Sequence, residues 1–174
     1  MNSLNQNHRE NYFGKEIGGK SVFESLEEQL YLSLMYSYKL LVGELDNFFK
    51  KYNITGPQYE VLTIINQRRE KGIPIRKIAG RMVSNNPDVT RIIDKLEKVN
   101  LVERVRSSDD RRVINVKITS VGIDKLIEIT NPLQDLHKSQ FMHLTKQEMK
   151  DLLSLLFKAR YPGQDKHFKI KSSN

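Results

Sequence analysis

The sequence contains no cysteine. Disulfides, thiolate metal sites and thiol redox sensing are therefore excluded, and the composition suits a reducing compartment. No uninterrupted apolar run approaches the ~20 residues that a membrane-spanning helix needs. Residues 1–20, MNSLNQNHRENYFGKEIGGK, hold no apolar signal-peptide core and read as a flexible arm, so a cytoplasmic protein is expected. Catalytic signatures are missing as well. There is no Ser/His/Asp set in recognisable context, no phosphate-binding Gly-rich motif and no metal motif. His8, His137, His143 and His167 are scattered, and His137 and His143 stand six apart, which is not an i, i+4 ligand pair on a helix. No cofactor, no metal and no enzymatic activity are expected. Internal repeats are absent too.

What is present is charge, unevenly placed. The chain has 174 residues, enough for one domain with its own hydrophobic core, and a net charge of +8. Between Arg68 and Arg112 there are 13 Lys and Arg against 7 Asp and Glu, a net of +6, and the other 129 residues carry only +2. A basic segment inside a near-neutral chain points to a surface that faces a polyanion.

Hydrophobic periodicity organises the rest. Glu24–Lys51 reads as one long amphipathic helix, with Leu26, Leu30, Leu34, Leu41, Leu45 and Phe48/Phe49 recurring at roughly helical spacing and Ser21/Glu24 as a capping box. A stripe this long and wide suits burial by a partner chain. Thr55 is expected to cap a second helix that has Pro57 in its first turn, buries Tyr59, Leu62, Ile65 and Ile64, and ends near Arg69. A short helix starts near Pro74, with Ile75, Ile78 and Met82 inward and the small Ala79 and Gly80 permitting close approach by a neighbour. After a loop comes a helix over residues 86–99. Asn86 is its expected cap, Pro87 its first residue and Asp88 a partner for the helix dipole. Val89, Ile92, Ile93, Leu96 and Val99 fall on one face, Arg91, Lys95 and Lys98 on the opposite one, and Asn100 is the stop.

The period then changes. Ile114, Val116 and Ile118 alternate with Asn115 and Lys117, and Leu101–Arg106 is a second strand, so Ser107–Arg111 becomes the loop of an antiparallel hairpin. Helix returns near Ser120, with a bend or break expected at Asn131-Pro132. Thr145/Glu148 is a further capping box, opening a helix with Met149, Leu152, Leu153, Leu156 and Ala159 on one side. The expected fold is mainly α with a small β-hairpin.

Two consecutive short helices, the second with a basic outer face, followed by a hairpin, match a helix-turn-helix with a wing. Residues ~55–122 resemble the winged helix-turn-helix of the MarR family of bacterial transcriptional regulators. The strongest match is DDRRVINVKITSVG, which is similar to the family's D-x-R, strand, L-T-x-x-G pattern through Asp110-Arg111-Arg112, Ile118-Thr119 and Gly122, with Ile in place of the usual Leu. VTRIIDKLEKVNLVER resembles the family's recognition helix, with VN where a basic residue and Gly are commoner. The resemblance covers about residues 24–160. It implies an N-terminal dimerisation helix over 21–54, a winged helix-turn-helix over 55–120, C-terminal dimerisation helices over 121–160 and a polar tail over 161–174. It also implies a homodimer on a near-palindromic operator in double-stranded DNA, most simply as a repressor. Recognition helix 86–99 would enter the major groove and wing 101–118 the minor groove. A small ligand, an aromatic acid or phenolic compound, would shift the spacing of the two DNA-binding heads.

The candidate contacts follow from base-edge chemistry. Asn pairs bidentately with adenine, Arg with guanine, and Asp accepts from cytosine N4. At the start of the recognition helix this selects Asn85, Asn86, Asp88, Thr90 and Arg91, although Asn86 and Asp88 have an equally simple use as cap and dipole partner. Lys95 and Lys98 suit phosphates, as do Arg76, Lys77 and Arg81 on the preceding helix. Arg111 at the wing tip suits the electronegative minor groove, and Asp110 is expected to brace the turn by pairing with an arginine. Arg112 is a candidate both for DNA contact and for that brace, the brace being favoured. Tyr31, Tyr36, Tyr38, Phe48, Phe49, Tyr52 and Tyr59 read first as core or dimer contacts, with some able to line a ligand pocket. The rival reading is a helical protein-interaction module that keeps the winged helix without binding DNA. The basic outer face and Arg111/Arg112 speak against it.

Overall fold

The computed structural model describes Gly14 and residues 23–83, 88–106 and 112–162. The chain divides into two compact units, Met1–Leu126 and Ile127–Asn174. In the first, α1 covers Leu26–Lys50. Its cap is Ser25, whose hydroxyl accepts the Glu28 N–H at 3.1 Å, and not the expected Ser21. Both serines precede a glutamate by three residues. The later pair wins because it starts the helix at Leu26, the first position of the apolar stripe. Only the C-terminal end of α1 is buried, through Phe48 and Phe49. Phe49 stacks at 5.0 Å on Tyr59 of the next helix. Leu26, Leu30, Leu34 and Met35 are exposed within their own unit.

Helix α2, Gly56–Asn66, has the expected capping box, with Thr55 and Gln58 each bonding the other's backbone N–H. It buries Val61, Leu62, Ile64 and Ile65, while Tyr59 is half-buried. It stops three residues short of Arg69, and a turn carries the chain to Gly72. There φ is +67°, and a β-carbon would lie 2.9 Å from the Val116 carbonyl oxygen. Only glycine fits both the left-handed backbone and the close approach. The reversal delivers β1, Ile73–Pro74, onto β3, Ile114–Ile118, which also pairs with β2, Val102–Arg106. The expected two-stranded hairpin is therefore a three-stranded antiparallel sheet of order β1-β3-β2. Two residues are too few to show an alternation, and Pro74 is tolerated because β1 is an edge strand.

Helix α3 covers Ile75–Ala79 and buries Ile78. Ala79 and Gly80 are exposed, and a β-carbon on Gly80 would meet nothing within 4 Å, so these small residues do not serve close helix approach. Helix α4, Val89–Lys98, buries Val89, Ile92, Ile93 and Leu96. Val99, expected on the same face, is exposed because the helix has already ended there. Asn100 takes φ +56°, and the Leu101 N–H closes back on the Leu96 carbonyl at 2.9 Å. The core of this unit thus joins α2, α3 and α4 to Val102 and Val116 of the sheet.

β3 departs from simple alternation: Ile114 is exposed while Asn115 is buried beside Val116. The central strand is covered on its second face too, by the turn at Lys71-Gly72. Asn115 Nδ2 donates to the Lys71 carbonyl at 3.1 Å and thereby holds that turn in place.

Helix α5 runs unbroken from Ser120 to Phe141, with Pro132 inside it. The expected break at Asn131-Pro132 does not occur. Proline removes one N–H and crowds the preceding turn, which a helix of 22 residues tolerates at the cost of a single bond. Within the second unit, Ile129 and Leu133 are buried. Helix α6, Lys146–Arg160, carries the expected Thr145/Glu148 capping box. The two hydrogen bonds from Thr145, backbone first and side chain second, hold the Glu148 carboxyl below its ordinary range. α6 buries no residue: Leu152 and Leu153 of its expected inner side are exposed, as is Leu155. Among the described residues no helix is long and apolar enough to cross a membrane.

Candidate nucleic-acid interface

The site is built on α4. Its apolar face is held by the core described above, so the opposite face is fixed in direction as well. Thr90, Arg91, Lys95 and Lys98 are all exposed on it. The helix begins at Val89, not at Pro87, and its cap is Asp88, not Asn86. The Asp88 carboxylate accepts the Arg91 N–H at 3.0 Å. Capping by aspartate satisfies an orphan donor and places negative charge at the positive end of the helix dipole. One carboxylate oxygen is thus committed to the helix itself.

Beside this face lies a groove of about 250 Å³ lined by Thr55, Pro57 and Gln58 of the α2 N-terminus and by Asp88, Arg91, Ile92 and Lys95. The start of α2 and the cations of α4 therefore border one concave surface. Arg76 and Lys77 are exposed in the last turn of α3. Arg112 is exposed just before β3. Asn85, Asn86, Asp110 and Arg111 lie outside the described residues, and so does the expected brace between Asp110 and Arg112.

Sequence reasoning missed a polar cluster of this region. Arg104 of β2 reaches across to α4. One guanidinium nitrogen bonds Asp94 Oδ1 at 2.5 Å, and the other bonds Glu97 Oε2. The Arg104 backbone N–H donates to Glu97 Oε1 at 3.1 Å. The hydrogen bond with Asp94, opposed in part by burial and assisted by Glu97, raises the guanidinium above its ordinary pKa. Its signal was legible in principle. Val102 and Arg104 share one face of the strand, so an arginine sits where an inward apolar residue is expected. Asp94 and Glu97, three apart, share one face of the helix. Arg104 retains 25% side-chain exposure, Asp94 58% and Glu97 38%. Pairs this open contribute at most about 1 kcal/mol to global stability, and the cluster matters more for orientation.

Two further contacts were missed. Glu60 of α2 accepts the Val83 N–H, tethering the chain ahead of α4. Thr119 joins wing to helix: its hydroxyl donates to the Asn100 carbonyl at 2.7 Å and accepts the Gly122 N–H at 3.0 Å. The Thr-x-x-Gly spacing thus has a physical meaning, since Thr119 caps α5 while Gly122 leaves room for the Leu101 carbonyl. Among the described residues no group of three or more His, Asp or Glu side chains is placed to hold a metal ion.

Known proteins share this arrangement. The MarR family model matches residues 54–114. The regulator MgrA of Staphylococcus aureus is 30% identical over 77% of this chain and 89% of its own. A mutant MarR of Escherichia coli, solved in complex with operator DNA, is 25% identical with a TM-score of 0.65, covering 75% of this chain and 93% of its own. An organohalide-sensing transcriptional regulator in its 2,4-dichlorophenol-bound form has the same fold, with a TM-score of 0.69 at 18% identity over 78% of this chain and 80% of its own. The relatives are regulators of transcription, not enzymes. A helix-turn-helix with an exposed cationic second helix, a wing tied to it and identity running through both units place this chain in the MarR family of transcriptional regulators.

Proposed function

We propose that the protein is a homodimeric, sequence-specific binder of double-stranded DNA, acting in the cytoplasm as a repressor on a near-palindromic operator. The observation that carries this reading is the division of α4 into a buried apolar face and an exposed face bearing Thr90, Arg91, Lys95 and Lys98. α4 then lies in the major groove, with Thr90 and Arg91 at base edges and Lys95, Arg76 and Lys77 on phosphates. The wing reaches the adjacent minor groove, where Arg111 and Arg112 supply positive charge. The apolar faces left exposed on α1 and on α6, each within its own unit, suit burial against a second copy. A small aromatic or phenolic ligand releases the DNA, in line with the dichlorophenol held by one relative.

Selection of bound DNA from a random pool tests the reading. A palindromic consensus is expected, with half-sites about one helical turn, roughly 34–36 Å, apart. Recovery of unenriched sequence would sink it. Sedimentation at micromolar concentration should show a dimer, and a monomer would undo the two-fold argument. Arg111→Ala should weaken binding to the selected DNA and reduce the slope of log affinity against log salt by about 0.9 or less. Unchanged affinity would remove Arg111 from the contact set.

A further inference from the structure

We infer that Arg104 is a positioning residue that locks the wing to the recognition helix, and that Asp94 and Glu97 serve DNA binding as its anchors although they carry the charge that DNA repels. The inference rests on the DNA-binding reading above.

The geometry is a three-point attachment between two elements with different targets. α4 faces the major groove, and β2 is the first strand of the wing. The guanidinium spans Asp94 and Glu97, one helical turn apart, and the Arg104 backbone N–H adds the third bond to Glu97. A planar fork bonded at both tines fixes direction as well as distance, which a lysine cannot do. Elsewhere the two elements are joined through the short Val99–Leu101 connection, which Thr119 at the end of the wing bonds at Asn100 and Leu101, and through core packing at Leu96 and Val102. Apolar packing sets their separation but resists sliding poorly. The clamp therefore fixes the angle at which the wing leaves the helix, and with it the register between major-groove and minor-groove contacts.

The acids otherwise have no evident use on this helix. Within Val89–Lys98 they offset two of its three cations, Arg91, Lys95 and Lys98. On charge alone, neutralising them would raise affinity for DNA. As clamp anchors, neutralising them lowers it. The two views predict opposite signs.

The test uses the full chain and the DNA recovered by selection. Arg104→Met should lower affinity on the order of tenfold, the scale of losing one groove contact. At saturating protein, hydroxyl-radical protection of the flanking minor groove should be lost, while methylation protection of major-groove guanines stays. The salt slope should fall as it does for Arg111→Ala, because the wing cations leave the groove together with that protection. Unchanged affinity would overturn the inference. So would a slope reduced by about 0.9 with both protections kept, because Arg104 would then be a direct phosphate contact. Asp94→Asn with Glu97→Gln keeps Arg104 and repeats the test without relying on the fold of the arginine variant. Weaker binding with the minor-groove protection lost supports the clamp, and tighter binding overturns it. Arg104→Lys, able to reach one carboxylate, should fall between wild type and Arg104→Met. If the unaltered protein protects no selected DNA, the DNA-binding reading has failed. If it does and the variants match it, only the clamp has failed.

Discussion

Gly122→Ala is expected to destabilise the first unit by about 3 kcal/mol or more, the upper range for forcing atoms into a packed site. A β-carbon at this position would lie 2.1 Å from the Leu101 carbonyl oxygen and 2.7 Å from Ile118 Cγ1. The isoleucine could turn aside, but the carbonyl is backbone and accepts the Thr119 N–H at 3.2 Å. Making room means withdrawing the first turn of α5, which breaks the Thr119 bonds to Asn100 and Gly122 as well. The midpoint of thermal unfolding, followed by circular dichroism, should fall by roughly 6–12 °C for a chain of this size. Gly80→Ala is the control. Gly80 has φ −70° and a β-carbon there meets nothing within 4 Å, so that variant should unfold at or slightly above the wild-type temperature. A Gly122→Ala protein as stable as wild type would mean that α5 does not approach Leu101 this closely.

Arg91→Ala should cost about 1–3 kcal/mol in binding the selected DNA if the guanidinium reads a base edge. The backbone of Arg91 already serves the Asp88 cap, while its side chain is exposed beside the groove shared with the α2 N-terminus. Removing an exposed side chain should leave folding within about 0.5 kcal/mol of wild type. Stability and affinity are thereby separated, the reverse of Gly122→Ala. Affinity for random DNA should barely change. An equal loss on selected and random DNA would reassign Arg91 to a phosphate.

Much of both the fold and the interface is legible in the order of residues alone. Thr55 with Gln58 and Thr145 with Glu148 are caps made by residues three apart, and such contacts need no tertiary partner. The α4 stripe of Val89, Ile92, Ile93 and Leu96 follows from helical period alone, and it directs Thr90, Arg91 and Lys95 outward. Local pattern is less reliable where two registers compete. Ser21 and Ser25 both begin a plausible box, and Asn86 and Asp88 both make plausible caps. The chain uses Ser25 and Asp88, each directly before its apolar stripe.

The sequence by itself therefore determined the order of the helices and of the two hairpin strands, the two-faced recognition helix, the concentration of positive charge and the resemblance to the family. The helices, the hairpin strands and the recognition face depend on spacing within a dozen or so residues, where covalent geometry ties position in the chain to position in space, and the charge and the resemblance are read from residue order directly. Tertiary structure alone decided the rest. Ile73–Pro74 becomes a strand only because β3 lies alongside it. Asn115 is buried only because the turn at Lys71, 44 residues away, folds over it. Gly122 is required only because the Leu101 carbonyl arrives from the wing. Arg104 finds Asp94 and Glu97 only when β2 is laid against α4. Each is a contact between segments whose separate patterns carry no sign of the other, because the energy that selects it exists only once both are in place.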